Sequence, residues 1–346
     1  RLFAESDGAS VPGVTAHLYR LDGAGAVIDG PLAPRNRILD GGAWRESLYL
    51  AVPAAPDADN IAESYTFVLP PGWIDDATLR VRAELNPFHF PHEPTYGDNT
   101  ATSAMFDMQP SPRLETEVVL FEYEDCSPGV CTRYVPRYLE DFLQAVSWIR
   151  RAYPLSSEPG WGDDPSPGFR PNWRIVFDDG LDERVTQSHP SCSSNSCASG
   201  YTNGILSTLR TAEGLPDSVF MYGMISDGAA FPRGQASGRV SSGPAGSDTW
   251  GWDTDGSYAD WYMAHEVGHS LGRRHPSPGS AICDHSADDA SYPYTDGQIG
   301  DGSLRGFDLG NPNINPALVP RIYPDDAWYD IMTYCNNLWI SDYTYE

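Results

Sequence analysis

The segment from His265 to His275 constrains the fold of this chain more than any other feature of the sequence. It reads H-E-V-G-H-S-L-G-R-R-H, so that His265 and His269 stand four residues apart. On an α-helix, residues at this spacing lie on the same face about one turn apart. Gly272 permits a backbone conformation that a side chain would oppose, so the helix can end there. The sequence therefore predicts a helix, a sharp turn and a return of the chain that brings His275 to the other two histidines.

Three histidines at this spacing are a donor set typical of zinc. Because three protein ligands leave one tetrahedral position open for water, the pattern favours a catalytic site over a structural one. Glu266 leaves the helix beside His265, where a carboxylate can act as general base without binding the metal. Two other interpretations are histidines that merely decorate a helix surface, and a zinc ion that only stabilises the fold. The prediction is one catalytic Zn²⁺ held by His265, His269 and His275, with Glu266 as the catalytic base.

With Gly272 and His275 included, the motif resembles that of the metzincin zinc endopeptidases. In that clan a turn that contains a methionine lies beneath the zinc further along the chain. The segment Y-D-I-M-T-Y-C at 329–335 is similar to that turn. The resemblance implies that Met332 is the turn methionine. It also implies that Tyr334 lies close to the zinc and is a second catalytic residue, which stabilises the oxyanion.

The resemblance implies a secreted, bacterial-type enzyme that hydrolyses peptide bonds in a protein or glycoprotein substrate. The alternative is an adhesin, or another module that binds glycans or proteins, with an inactive metzincin-like domain. The presence of Glu266 favours hydrolysis. Arg273 and Arg274 stand where the clan often carries an aliphatic residue or a glycine. This departure leaves the subfamily and the substrate preference open.

The charge of the chain excludes two classes of partner. Its 48 acidic residues outnumber 22 basic residues, all of them arginine, for a formal net charge of -26. Nucleic acids and anionic membrane surfaces both bind basic patches, so we expect neither as a partner. No apolar run of 18 residues exists, so we expect no membrane span. The chain begins at Arg1 without a charged and apolar leader, which we interpret as a mature secreted protein. We expect a monomer.

The cysteines indicate an oxidising, extracellular compartment. Their even count of six includes two pairs that are close in sequence, Cys126 with Cys131 and Cys192 with Cys197. Fifteen pairings can be drawn for six cysteines. We favour the two local pairs and a third bridge between Cys283 and Cys335, which would tie the loop after the histidines to the methionine turn.

The fold class predicted from these patterns is α+β, with two domains. Residues 1–112 contain short alternating segments, including 64–73, 78–87 and 99–108, that predict strands of an all-β sandwich. The stretch 86–101 weakly resembles bacterial Ig-like modules that accompany secreted enzymes. A propeptide is the other interpretation of this domain; it has no cysteine that could block a zinc, although an aspartate could do so.

Residues 113–346 are predicted to form the metzincin-type domain, after a linker at 109–112. We expect a twisted, mostly parallel sheet, an active-site helix and a loop-rich lower half. Strands are predicted at 114–123, 173–177 and 218–226, and helices at 136–153 and 204–212. The active-site helix should begin between Ser257 and Asp260 and bury Trp261, Met263, Ala264, Val267 and Leu271. Residues 234–242 suit an edge strand that faces the substrate, or a plain loop.

Weaker patterns leave calcium as a second cation. The segment 253–256 and the segment 284–301 are rich in aspartate, but neither matches the spacing of an EF-hand loop. Their acidity equally suits a strongly hydrated surface. His285 is an alternative ligand without a template. His89 and His92 flank a proline that breaks helical geometry, so we interpret them as surface residues rather than a second metal pair.

Overall fold

The computed structural model describes residues 1–40, 43–111, 113–127, 129–155, 169, 171–247, 253, 255–277, 283 and 288–346. The chain divides into two units. The first comprises residues 1–110 with 320–322, and the second comprises residues 111–319 with 323–346. The division at Pro110 lies two residues before the predicted domain end at 112. Helices and strands are mixed in the chain, as the predicted α+β class requires at this coarse level.

The first unit consists mainly of short strands. In chain order its elements are β1 (Leu2–Phe3), β2 (Val11–Val14), β3 (Ala16–Leu21), β4 (Val27–Leu32), β5 (Asn36–Asp40), β6 (Ala43–Ser47), β7 (Leu50–Val52), a 3₁₀ turn (Ile61–Glu63), β8 (Ser64–Tyr65), α1 (Pro71–Ile74), β9 (Thr78–Leu85), β10 (Thr100–Thr102) and β11 (Phe106–Asp107). Strand β3 lies between β4 and β9, and β9 also pairs with β10 and β11. Every pairing of β1–β11 in the described residues is antiparallel.

Two of the strands predicted for the first unit are interrupted. Only Ser64 and Tyr65 of the 64–73 segment pair, because Pro71 begins the helical turn α1, a position that suits a residue without a backbone N–H. The 99–108 segment forms β10 and β11 with a break between them. The 78–87 prediction is confirmed by β9, in which Leu79 and Ala83 are buried on one face. The Ig-like sandwich remains a prediction.

The second unit carries the longer elements. They are β12 (Glu115–Ser127), β13 (Val130–Tyr134), a π-helical segment (Tyr138–Leu143), α2 (Gln144–Ala152), β14 (Asn172–Phe177), α3 (Asp182–Val185), α4 (Cys197–Glu213), β15 (Val219–Ser226), β16 (Gln235–Ser237), β17 (Val240–Ala245), α5 (Ala259–Ser270), a 3₁₀ turn (Thr295–Gly297), β18 (Arg305–Asp308), β19 (Arg321–Pro324, whose first two residues are counted with the first unit), β20 (Tyr329–Asp330), β21 (Leu338–Trp339) and α6 (Asp342–Tyr345).

In the described residues, six strands of this unit form one sheet. Strand β12 pairs in parallel with β14 and β15, and β15 pairs in parallel with β17. Strands β13 and β16 are antiparallel to their neighbours β12 and β17. The 234–242 segment therefore forms an edge strand, β16, and the turn into β17, where the sequence also allowed a loop.

Helices cover both faces of this sheet, which explains why β12 contains the consecutive apolar residues Val118 to Phe121. Val118 and Leu120 point into the core that also contains α2 and α5. Val119 and Phe121 point into a second core with α3 and α4. Because neighbouring side chains of a strand lie on opposite faces, a strand buried on both faces needs consecutive apolar residues. The predicted strands at 114–123, 173–177 and 218–226 are confirmed by β12, β14 and β15.

The helix predicted over 136–153 is partly wrong. Its first part is the π-helical segment Tyr138–Leu143, in which the Phe142 N–H donates to the carbonyl of Arg137. The wider π turn advances each residue by a smaller angle than an α-helix, so the predicted 3.6-residue face is not maintained. Leu139 is consequently 60 % exposed, whereas Phe142 is buried.

All six cysteines are described, and they form the three predicted bridges Cys126–Cys131, Cys192–Cys197 and Cys283–Cys335. The last bridge joins the loop after the histidine motif to the segment that contains Met332, across 52 residues. No helix in the described part of the chain is long and apolar enough to cross a membrane.

Candidate metal centre

Helix α5 carries His265, Glu266 and His269 into the interior. It begins at Ala259, within the predicted range, and its apolar side contributes Met263, Ala264 and Val267 to the core beneath the sheet. Of the other residues predicted to be buried, Trp261 is only partly buried and Leu271 is 43 % exposed. Leu271 is the C-cap residue of the helix, one position beyond Ser270.

Gly272 ends the helix as the sequence predicted. Its φ of +97° lies in the region that favours glycine, and no atom would obstruct a side chain there, so the backbone conformation alone explains the residue. The Arg273 N–H then donates to the carbonyl of Gly268 over 3.0 Å. This bond across the end of the helix is typical of a glycine-terminated helix. It reverses the chain, and His275 follows from outside the helix.

The three histidines converge on one point. The Nε2 atom of His275 lies 3.1 Å from Nε2 of His269 and 3.3 Å from Nε2 of His265. His265 and His275 are buried, and one ring nitrogen from each of the three lies within 4.8 Å of the others. The group can therefore bind a metal ion, which confirms the prediction at this level.

The opposite nitrogens of these rings show which atoms face the centre. Nδ1 of His265 lies 2.7 Å from the carbonyl oxygen of Ile331, and Nδ1 of His269 lies 2.9 Å from that of Arg273. Carbonyl oxygens only accept hydrogen bonds, so in the neutral rings Nδ1 carries the proton and Nε2 carries a lone pair. Burial also lowers the pKa of His269, although the Arg273 carbonyl opposes this effect. Lone pairs held this close repel one another unless a cation lies between them.

The segment around Met332 lies directly beneath α5. Gly268, the residue before His269, faces the Met332 side chain so closely that a Cβ at 268 would be 2.5 Å from its Sδ. On the same side of the helix, the Tyr153 hydroxyl donates to the carbonyl of Ala264 over 2.7 Å. Met332 is buried and therefore packs against the floor of the histidine site. Its role as the turn methionine remains a prediction.

Asp330 organises this turn, and the sequence analysis did not identify it. Its carboxylate is fully buried and accepts hydrogen bonds from the Met332 N–H over 2.8 Å and from the Ser341 N–H over 3.0 Å. The Ser341 hydroxyl donates to the same carboxylate. An aspartate between apolar residues just before the methionine was the available signal, because a buried carboxylate needs several donors.

Replacing Asp330 by alanine should lower the free energy of unfolding by about 3 kcal/mol, because it leaves buried N–H and O–H donors without an acceptor. Urea unfolding followed by tryptophan fluorescence measures the change. The matched control is Asp326→Ala, which removes an exposed carboxylate of the same strand–turn region and should change the unfolding free energy by less than about 0.5 kcal/mol. Equal effects of the two substitutions would show that Asp330 does not hold the turn.

Glu266 is buried next to the histidines. It is 5 % exposed, and burial raises its pKa to about 8, while the charge of Arg233 opposes this shift. A cation held by the histidines would also oppose it, because positive charge stabilises a carboxylate. Gly234 lies against the carboxyl, and a Cβ at 234 would overlap Glu266 Oε1. A glycine at this position therefore leaves the space that the carboxyl occupies.

Tyr334 lies beside the histidines and is 42 % exposed. Its ring centroid is 5.6 Å from that of His265 and 5.0 Å from that of His275. Partial burial raises its pKa, while the charge of Arg233 opposes the shift. The guanidinium of Arg233 lies 5.4 Å from the centroid of the Tyr334 ring. Arg233 had no recognisable signal in the sequence, because it is far from Tyr334 along the chain and approaches it only in the folded structure.

These side chains border an open cleft of about 510 Å³. Its lining includes Glu266, His269 and Tyr334, together with Gly234 and the edge-strand residues Gln235 and Ala236 of β16. The cleft therefore combines a candidate metal site, a carboxyl and a phenol along one strand edge.

The other predicted cation sites have different outcomes. Carboxylate oxygens of Asp253, Asp255 and Asp260 lie within 4.8 Å of one another, and Asp260 is buried. Whether these aspartates hold calcium remains a prediction. His285 and Asp284 lie outside the described residues. His89 and His92 are both exposed and stack against Tyr96, in agreement with a surface role.

Because of these three aspartates, we expect the thermal stability of the protein to depend on pH. Burial and the neighbouring Asp255 raise the pKa of Asp253 from 3.8 to about 8, and burial raises that of Asp260 well above 3.8. A carboxyl whose pKa is higher in the folded than in the unfolded state adds to the free energy of unfolding while it is protonated. For these aspartates that added stability is lost as the pH rises from about 4 through about 8. In EDTA, Asp260→Asn should therefore raise the Tm more at pH 8 than at pH 5. The same Tm difference at both pH values would contradict the raised pKa.

Comparison with known proteins found no match to this chain: no family model, no curated protein and no solved structure is significantly similar to it. What the site can do therefore has to follow from its own residues, distances and burial.

Proposed function

We propose that this chain is a zinc endopeptidase of the metzincin type. One observation carries the proposal. The Nε2 atoms of three histidines converge beside a cleft that also holds the buried carboxyl of Glu266. A site that only stabilises the fold has no use for an unligated carboxyl at an open cleft. The proposed location is extracellular, with which the three disulfides are compatible.

The donor set fits zinc. Zn–N bonds of roughly 2.0–2.1 Å in a tetrahedron place the nitrogens roughly 3.3–3.4 Å apart. The two Nε2 separations of 3.1 and 3.3 Å are close to this value. The carbonyls of Ile331 and Arg273 orient the rings of His265 and His269 through Nδ1, as hydrogen-bond partners of metal-binding histidines usually do. His265, His269 and His275 would therefore hold the ion.

A bound zinc would lower the pKa of water and polarise the peptide carbonyl. The remaining steps belong to side chains of this chain. Glu266 takes a proton from the attacking water and passes it to the leaving amine. The Tyr334 phenol, at the same cleft, donates a hydrogen bond to the carbonyl oxygen as negative charge develops on it.

The edge strand β16 offers a way to hold the substrate. It pairs with β17 on one side, and within the described residues its other edge has no strand partner. An extended peptide can add to such an edge through backbone hydrogen bonds. Because residues 234–236 line the cleft, a peptide bound there would pass the Glu266 carboxyl.

Hydrolysis of unfolded casein, with and without a chelator, tests the proposal. The full chain loaded with one equivalent of zinc should release peptides, 1,10-phenanthroline should stop the release, and added zinc should restore it. If the zinc-loaded chain releases no peptide from casein or from a mixed peptide library, the alternative of a binding module with an inactive domain is favoured.

Replacing Tyr334 by phenylalanine should lower kcat about 10²-fold, the usual effect of losing one donor to an oxyanion, and leave the zinc content unchanged. The ring and its packing are preserved in this variant. Steady-state cleavage of a fluorogenic peptide, together with metal analysis, makes the measurement.

The matched control for this variant is Tyr138→Phe, because Tyr138 is also 42 % exposed and does not line the cleft. We expect it to retain the wild-type kcat. A Tyr334→Phe variant with wild-type kcat would mean that the phenol only packs beside the histidines.

A further inference from the structure

Two consecutive arginines line the candidate active-site cleft. Arg273 and Arg274 border it together with Glu266 and Tyr334. Their backbone is fixed at the end of α5, where the Arg273 carbonyl accepts from Nδ1 of His269 and the Arg273 N–H donates to Gly268. The backbone of Arg273 is therefore tied to His269 and to the end of α5 through the turn at Gly272.

A third arginine lies beside a residue of the cleft. The guanidinium of Arg233 lies over the ring of Tyr334, which lines the cleft. Its backbone N–H donates to the carbonyl of Asn195 over 2.8 Å, and its carbonyl accepts from the Ser199 hydroxyl. These two bonds anchor the residue before Gly234 to the start of α4.

These arginines differ from many others in the chain, which pair with carboxylates as Arg151 does with Asp308. Within the described residues, none of Arg233, Arg273 and Arg274 has an acidic side chain at ion-pair distance. Arg274 is exposed, and Arg273 makes an aromatic contact 5.6 Å from the centroid of Tyr343. No acidic side chain of the described part of the chain neutralises these three charges.

The acidic groups nearby have other partners or roles. Asp288 Oδ2 lies 3.4 Å from Nδ1 of His275, and Asp289 accepts from the Tyr343 hydroxyl over 2.9 Å. Glu266 is buried at the centre of the cleft. Three guanidinium groups at this cleft are notable in a chain whose net charge is -26.

We infer that the cleft selects peptide segments that carry aspartate or glutamate close to the bond to be cleaved. Arg273 and Arg274 are the specificity-determining residues, and Arg233 is a third cation at the rim. Guanidinium groups bind carboxylates through charge-assisted, often bidentate hydrogen bonds. Because the net negative charge of the chain repels anions, the preference arises from ion pairs between these arginines and the carboxylates of the peptide. The inference rests on the proposed peptide hydrolysis and adds the class of substrate.

The test uses a casein peptide whose cleavage site has been mapped by mass spectrometry with the full-length, zinc-loaded protein. Two versions are synthesised, with glutamate or with glutamine at the three residues on each side of the bond. The ratio of kcat/KM for the two peptides is measured at about 0.15 M salt, where charges beyond about 8 Å are largely screened. Wild-type protein should prefer the glutamate peptide about tenfold.

In the double variant Arg273→Gln/Arg274→Gln the ratio should fall to about one. Arg274→Gln alone, which changes an exposed side chain, should lower it about threefold if the double variant does not fold. Arg133→Gln is the matched control, because it removes the same charge from β13, at the other end of the strand order from β16, and should keep the tenfold preference. Equal cleavage of both peptides by wild-type protein overturns the inference and leaves peptide hydrolysis standing. A preference that persists in the double variant also overturns it.

A binding measurement separates this inference from the proposed function. Fluorescein-labelled (Glu-Ala)₅ and (Gln-Ala)₅ peptides are titrated with Glu266→Gln protein in a fluorescence anisotropy assay. Tighter binding of the glutamate peptide, lost in Glu266→Gln/Arg273→Gln/Arg274→Gln protein, supports the inference even if no peptide is hydrolysed. Equal affinities for the two peptides overturn it.

Discussion

Glu266→Gln protein is expected to fold and to bind zinc like the wild type but to hydrolyse peptides about 10³-fold more slowly. The substitution keeps the size of the side chain and leaves the three histidines untouched. It removes the group that accepts the proton of water, and such a loss typically costs about 10²–10⁴-fold in rate. Steady-state kinetics on a fluorogenic peptide and zinc analysis of the same sample measure the two properties.

The control for this variant is Glu140→Gln, since Glu140 is an exposed glutamate in the π-helical segment. It should retain the wild-type kcat. If Glu266→Gln protein kept more than about a tenth of the wild-type kcat, another group would have to be the base, or the reaction would not be this one.

His269→Ala should lose both zinc and activity. Only two imidazoles would remain, and four-coordinate zinc sites in proteins depend on at least three protein ligands. Wild-type protein should gain thermal stability when zinc is added, because a ligand that binds only the folded state stabilises it by about 4 kcal/mol at 1,000 times its Kd. The variant should show no rise in Tm with zinc, and metal analysis after dialysis should find far less than one ion per chain.

His92→Ala provides the matched comparison, because His92 is an exposed histidine of the first unit. It should keep zinc, the zinc-dependent rise in Tm and peptide hydrolysis. Full zinc occupancy in His269→Ala protein would remove His269 from the ligand set. Together with Glu266→Gln, this variant separates loss of the metal from loss of the base, since only one of the two should lose zinc.

Several elements of the second unit could be predicted because each of them follows from a local pattern of residues. Strand β12 contains four consecutive apolar residues, Val118 to Phe121, as a strand buried on both faces requires. The end of α5 at Gly272 follows from the backbone freedom of glycine. In such segments the local preference and the tertiary contacts favour the same structure, so the sequence alone is sufficient.

Predictions failed where tertiary contacts override the local pattern. Helix α4 begins at Cys197, seven residues before the predicted start, in a stretch of serine, glycine and asparagine with weak helical preference. The Cys192–Cys197 bridge fixes its first residue. The π-helical segment changes the face that Leu139 presents, and no 3.6-residue pattern can indicate it.

The sequence by itself determined which residues can meet at a metal. The spacing of His265, His269 and His275 around one helix end depends only on backbone geometry, and that geometry is local. The same is true of the position of Glu266 on α5.

Only the tertiary structure decided how these residues are held. The carbonyl of Ile331 orients His265, Met332 packs beneath Gly268, and Asp330 holds the methionine turn from inside the core. The position of Arg233 over Tyr334 could not be predicted from the sequence either. The contacts of His265 with Ile331, of Gly268 with Met332 and of Arg233 with Tyr334 join residues about 60 to 100 positions apart in the chain. Their formation depends on packing between whole elements, for which no local period exists.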